Sequence, residues 1–482
     1  MGVTAHRGML PSCLTLPPAL MLAFAATSMS DRPPGLLQVD EAMVEDIAAL
    51  VAAEDQGMVL NLLVDLHPVD LAVLLARLPE IEARQLFAWL PPELAGDVLA
   101  ELDAAERGAL LLGISGERLR KLIDELDTDD AVDVLSELPD RRVADVLPKL
   151  EDTYDLTALL TYPEQSAGGL MAREFVAVPA SVTAFEATEA VRHRARDIDD
   201  IYSVFVLTTD GHLKGVVSLK DLMLSPADTP LDDLMETDFV SVPTAMDQEE
   251  VARIMERYDL VSLPVLDENG VMAGRITIDD VMRVVRTEAE EDMQLMSGVS
   301  GAEQPGDSVL RISRGRMPWL LIGLLGAGLS GTVIGTFEAT LEQAVVLAAF
   351  IPIVTAMGGN AAVQSAAIAV QGLSSGKLWP GDLMRRMGKE MLVAIVNGIL
   401  LAALLCLTIF LLQLGDVTRL VLTLGVTMFT VILLATTNGA LVPFVLKKMG
   451  VDPASAMGPF VTTLNDIIGL TVYFIYASAL YL

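Results

Sequence analysis

Asp466 lies about ten residues into an apolar run that opens near Met457 and continues to Leu482. A carboxylate near the middle of a membrane span costs at least about 2.5–3.5 kcal/mol, so such a residue faces a polar interior and marks an ion path. A second reading is a protonated Asp466 bonded to Asn465 or Thr462 and holding helices together. A second constellation runs from Pro352 to Gln364, where a helix breaker, the pair Gly358-Gly359 and the amides of Asn360 and Gln364 sit in apolar surroundings. Irregular backbone at such depth is tolerated where it is buried or lines a wet cavity, so the stretch is expected to aim carbonyl oxygens at the ion path. Close helix packing through the two glycines is the competing use. Cys13 and Cys406 are isolated and the four histidines scattered, which leaves soft metals without ligands and points to a hard cation on oxygen.

The elements that must position these groups follow from composition and period. A mean hydropathy of +0.50 over 482 residues implies a membrane part. The net charge of −33 is uneven: residues 311–482 carry ten basic and seven acidic side chains, and the preceding 310 residues hold −36. That acidity disfavours nucleic acid and anionic lipid and favours cations. Residues 1–35 weakly imitate a secretory signal, but Pro17-Pro18 interrupts it; an unstructured tail, or a true start at Met29, is expected. From Leu66 an apolar residue recurs every 12 positions (Leu78, Leu90, Leu102 and onward), and a second follows nine later (Leu75, Phe87, Leu99), with Pro, Asp, Ser or Glu opening each unit. Short helices stacked as an α-superhelix are predicted over 36–165.

Between about Gly168 and Arg286 a repeat near 60 residues appears: Phe175-Val176-Ala177-Val178-Pro179 returns as Phe239-Val240-Ser241-Val242-Pro243. Each copy places β-branched strands around Asp210-Gly211 or Asn269-Gly270, which read as hairpin turns. This resembles a tandem pair of α/β CBS domains, 166–226 and 227–287. An acidic connecting helix is predicted over 288–316, with Glu288, Glu291 and Asp292 on one face. The membrane domain, 317–482, has five apolar spans, near 317–337, 343–373, 390–414, 420–446 and 456–482. Basic flanks at Arg311/Arg314/Arg316, Lys377/Arg385/Arg386/Lys389 and Lys447/Lys448 alternate with flanks nearly free of them, placing the acidic domains in the cytoplasm and the C-terminus outside.

The order of these parts, the Pro352–Gln364 stretch and Asp452-Pro453-Ala454 ahead of Asp466 together resemble the MgtE family of Mg²⁺ channels over about 40–482. The resemblance implies a homodimer in the cell membrane with the pore between subunits, Asp466 holding a hydrated Mg²⁺, and Pro352, Gly358, Gly359, Asn360, Gln364 and Thr462 along the path. It implies regulatory Mg²⁺ positions at Asp247, Glu249, Asp259, Asp280, Glu288, Glu291, Asp292 and Asp452. Arg283 stands where family members can carry another acid. The CBS resemblance adds an adenine nucleotide such as ATP, held by Ser218, Lys220, Asp221 and Thr277. The gating expected from charge is simple: bound Mg²⁺ neutralises the acidic domains and lets them close, and its loss lets repulsion part them. An ion-coupled divalent-cation transporter and a membrane-tethered nucleotide sensor are the competing readings. An enzyme is disfavoured, since no Walker loop, nucleophile elbow or metal-ligand helix is present.

Overall fold

A computed structural model describes residues 39–482 except 64–65, 196–197, 199, 300–302, 304–307 and 457. The expected tail at 1–35 lies outside the described residues. The chain forms two compact units, one ending at Leu126 and resumed over Asp133–Thr153, the other comprising Asp127–Val132 and Tyr154–Leu482.

The first unit is built from the 12-residue period. Helices run over Pro68–Arg77, Glu80–Trp89, Pro92–Glu101, Ala104–Leu111 and Gly116–Ile123. Proline at N1 starts two of them, where its missing N–H costs nothing, and each of the first three ends on a leucine in extended conformation. Those leucines, Leu78, Leu90 and Leu102, are buried with Leu75, Phe87 and Leu99, so no helix closes its own core and each packs on the second one along. Hydrophobic periodicity did not reveal one device. Arg118 donates to the carbonyls of Phe87 and Leu90 at 3.0 and 2.9 Å, and Arg142, two repeats on, donates to those of Leu111 and Ile114. Carbonyls at helix C-termini are thereby bound by side chains from the third helix along.

In the second unit the 60-residue repeat yields two matching sheets. β1 (Val176–Pro179) runs parallel to β2 (Ser203–Leu207), which pairs antiparallel with β3 (Leu213–Ser218). β4 (Val242–Pro243), β5 (Ser262–Leu266) and β6 (Met272–Thr277) repeat that order. The two hairpins turn at Gly211 and Gly270, whose φ angles of 81° and 79° lie where a side chain would be strained. The last helix of the second copy, Ile278–Met296, does not stop at the predicted 287/288 boundary. It carries its acidic face onward without a break, because Thr287 to Met296 contains no glycine or proline.

Five helices long and apolar enough to cross a membrane follow: Val309–Thr336, Val345–Ser374, Leu383–Leu412, Val417–Lys448 and Phe460–Tyr481. The first starts earlier than predicted and contains Arg311, Arg314 and Arg316. The second is straighter than predicted. A short 3-10 segment, Val345–Phe350, precedes one unbroken α-helix, Ile351–Ser374, with Pro352 in its first turn and Gly358-Gly359 inside it. Two glycines cost about 2 kcal/mol in a helix, less than leaving several backbone groups unpaired in lipid. One carbonyl of the tighter segment is met from outside it, since the Tyr473 hydroxyl donates to the Leu347 carbonyl at 2.7 Å.

Glycines also set how closely the spans approach. A Cβ on Gly439 of span 4 would sit 2.2 Å from the Ala362 carbonyl oxygen of span 2, while one on Gly359 meets nothing within 4 Å. Gly439→Ala is therefore expected to destabilise the membrane region by about 1–3 kcal/mol, by overpacking against rigid backbone. Gly359→Ala should leave stability unchanged or slightly raised, and denaturant titration of the two variants in detergent separates them.

Candidate functional site

Span 2 places Pro352, Thr355, Ala356, Gly359, Asn360, Val363 and Gln364 on one stripe, at steps of three and four residues, and span 5 adds Thr462 and Asp466 one turn apart. Together they line a cavity of about 450 Å³. Asn360 and Gln364 are exposed on the single chain, Asp466 half-buried. The Asp466 carboxylate makes no hydrogen bond or ion pair among the described residues. Of the partners considered for a protonated form, Asn465 donates its amide to the Val461 carbonyl at 2.8 Å while its Oδ1 is enclosed without a partner among the described residues, and Thr462 donates to the Gly458 carbonyl at 3.3 Å. What the cavity offers is one acid amid neutral hydroxyls and amides. Freed backbone carbonyls, the expected lining, are not what span 2 presents there, because its helix is continuous.

Gly358 is a correction. It points away from the cavity, and a Cβ there would meet Val431 of span 4 at 3.0 Å, so its small size serves packing. Thr355, Ala356 and Val363 were missed. The signal was available, since they complete the 3.6-residue stripe through Pro352, Gly359 and Gln364. A further omission is Glu390 on span 3. Its carboxylate accepts from the Ser365 hydroxyl of span 2 at 2.8 Å and pairs with Arg386, all three side chains being largely enclosed.

The membrane-proximal end of the connecting helix packs on span 2 beside this cavity. Leu295 and Met296 pack on a buried cluster of Ala366, Val370 and Ala454, against which Val363, one of the lining residues, also packs. Along the same helix, Glu288, Glu291 and Asp292 gather near Asp452. Burial, then Glu288, Asp452 and Asp292, push the Glu291 carboxyl above its usual range. Burial also raises Asp292, with Asp452 and Glu288 adding to it against a Ser374 hydrogen bond and Lys447. Glu249 is raised chiefly by burial, with Arg253 and Lys447 opposing and Glu288 and Asp247 adding. Mutually repelling carboxylates of this kind suit a hydrated divalent ion, although no three acidic, His or Cys groups among the described residues are assembled closely enough to hold a bare one.

Other expected ligands stand apart. Asp247 caps the helix Gln248–Tyr258, accepting from the Glu249 amide at 2.9 Å, and Asp259 ends it in the left-handed conformation. A helix of that length separates them by roughly 16–18 Å, too far to share one ion. Asp280 is also a correction. Its oxygens are taken by Thr277 at 2.7 Å and Arg283 at 2.6 Å, so it is unavailable as a metal ligand. Thr277, expected in the nucleotide set, is itself buried. Ser218 remains near the surface, donating to Asp221 at 2.6 Å beside an exposed Lys220. Arg275 is buried between the two sheets and donates to the carbonyls of Glu174 and Asp200.

Comparison with known proteins matches residues 351–476 to a family of divalent cation transporters, 66–165 to the MgtE intracellular N domain, and 167–228 and 231–287 to CBS domains. The magnesium transporter MgtE of Bacillus subtilis is 31% identical over 418 residues, spanning 86% of this chain and 92% of that protein. The chain belongs to the MgtE family. The Thermus thermophilus magnesium transporter MgtE is 33% identical over 92% of this chain and 99% of its own length. The solved cytosolic domain of the Mg²⁺ channel MgtE in complex with ATP aligns with 50% of this chain and 99% of its own, at 34% identity and a TM-score of 0.48. MgtE membership accounts for the order of helical, CBS and membrane parts and places the chain among transport proteins rather than enzymes.

Proposed function

We propose that the chain conducts Mg²⁺ inward across the cell membrane, along a path between two copies, and that cytosolic Mg²⁺ closes it. The observation carrying this reading is Asp466 at the rim of a cavity whose other polar groups are neutral. Exposed Asn360 and Gln364 on a span face need cover from lipid, and a second copy supplies it while bringing two Asp466 carboxylates to one ion. Two such charges match a divalent cation that keeps its water. The alternating basic flanks favour a cytosolic CBS pair and an outward C-terminus. Uptake by purified protein in liposomes, with a Mg²⁺, Mn²⁺, Co²⁺ and Ca²⁺ competition series, tests the reading; proton-coupled, saturable flux without single-channel currents would favour a coupled transporter instead.

Gating follows from the packing of Leu295 and Met296 on the same cluster, Ala366, Val370 and Ala454, that backs the lining residue Val363. When Mg²⁺ screens Glu249, Glu288, Glu291, Asp292 and Asp452, the connecting helix is held against span 2; when it leaves, repulsion frees both. Asp247→Ala with Glu249→Ala is expected to raise the cytosolic Mg²⁺ needed for half-inhibition by about tenfold, the equivalent of about 1.4 kcal/mol of lost ion binding. Unchanged inhibition in patch recordings would count against the scheme. An adenine nucleotide, if held, engages Ser218, Lys220 and Asp221, and ATP titration calorimetry with Asp221→Ala as control reports on it.

A further inference from the structure

Two helix starts within the second unit bring acids together. The start of Thr128–Ser136 brings Asp127, Asp129 and Asp130, and the start of Ile278–Met296 brings Asp279 and Asp280. Like charges this close should part. Burial, then Asp130, Asp280 and Asp127, push Asp129 well above the usual carboxylate range, and its Oδ1 is enclosed without a hydrogen-bond partner among the described residues.

Between them lies one guanidinium. Arg283 donates through Nη2 to Asp280 Oδ1 at 2.6 Å and through Nη1 to Asp130 Oδ1 at 3.1 Å. The Asp280 side chain is 5% exposed and that of Asp130 18%, so both carboxylates are largely withdrawn from water. Asp280 is already held on its other oxygen by Thr277. A divalent ion placed here would have to displace a fixed cation from the same oxygens, so the residues present do not fit the regulatory Mg²⁺ that the family resemblance assigns to Asp280.

We propose that Arg283 is a built-in counter-ion that clamps residues 127–132 to the connecting helix without a divalent cation. A guanidinium is suited to this because it is always charged and its fork spans two carboxylates. Resting on the gating reading above, the consequence is a division of labour: this junction stays shut at Mg²⁺ levels that release the cluster around Glu291.

Hydrogen–deuterium exchange of the full-length protein in detergent tests the clamp, with amides 128–132 followed in EDTA and in millimolar Mg²⁺. The wild-type rates are expected to agree within about twofold, whereas Arg283→Ala should exchange about tenfold faster in EDTA and slow again in Mg²⁺, once solution ions must serve the carboxylates. Asp130→Asn, which removes one end of the clamp with little change of shape, should also accelerate exchange in EDTA. A wild-type junction that opens on chelation, or an Asp130→Asn protein indistinguishable from wild type, overturns the proposal. No transport is read, so the clamp can fail while the conduction reading stands, and the reverse.

Discussion

Asp466→Asn is expected to reduce Mg²⁺ uptake into liposomes by more than about a hundredfold at low external Mg²⁺, while the protein folds and purifies as before. At about 5 Å, through a layer of water, a carboxylate and a divalent ion attract by roughly 6–7 kcal/mol at an effective dielectric near 20. If desolvation cancels half of that, more than two decades of affinity still depend on the charge. Asparagine keeps the shape and one oxygen, so the variant isolates charge from packing. Nothing else in the cavity can compensate, because Thr355, Asn360, Gln364 and Thr462 are all neutral. Uptake at the wild-type rate would remove Asp466 from the ion path, and with it the reason to read the cavity as a pore.

The largest expected effect on stability lies at Glu390. This carboxylate and Arg386 have side chains only 8% and 13% exposed, and the Arg386 Nε is enclosed without a partner among the described residues. Glu390→Ala would strand a buried guanidinium, at a cost of about 3–5 kcal/mol. The double variant Arg386→Met with Glu390→Leu should recover most of that loss, since a buried pair replaced by apolar groups of similar volume is often close to neutral. Equilibrium unfolding in detergent checks both. A single variant as stable as wild type would mean that water reaches the pair. If the double variant folds but Mg²⁺ uptake falls, the bond from Glu390 to Ser365, next in sequence to cavity-lining Gln364, also sets the orientation of span 2.

Much of the architecture was legible because it is written in periods. Twelve-residue spacing of leucines, a 60-residue repeat with glycine turns and five apolar runs each report a local rule: how a short helix buries one face, how a hairpin turns, how lipid selects length. Pattern, with the family resemblance adding Thr462, also singled out Pro352, Gly359, Asn360, Gln364 and Asp466, together six of the nine residues lining the cavity. The errors were of rotation and pairing. Gly358 is one residue from Gly359, and about 100° around the helix separates a cavity wall from a packing contact. Glu390 was passed over, since nothing local says that Ser365 and Arg386 will enclose it.

Sequence by itself thus determined the kinds of element, their order, and the presence of an acid in an apolar span, because these depend on neighbours along the chain. Tertiary structure decided which face of span 2 meets Asp466, that its helix stays unbroken, and that Arg283 closes on Asp130 about 150 residues away. Those outcomes depend on partners distant in the chain, and burial and charge choose among them only once the helices have been brought together.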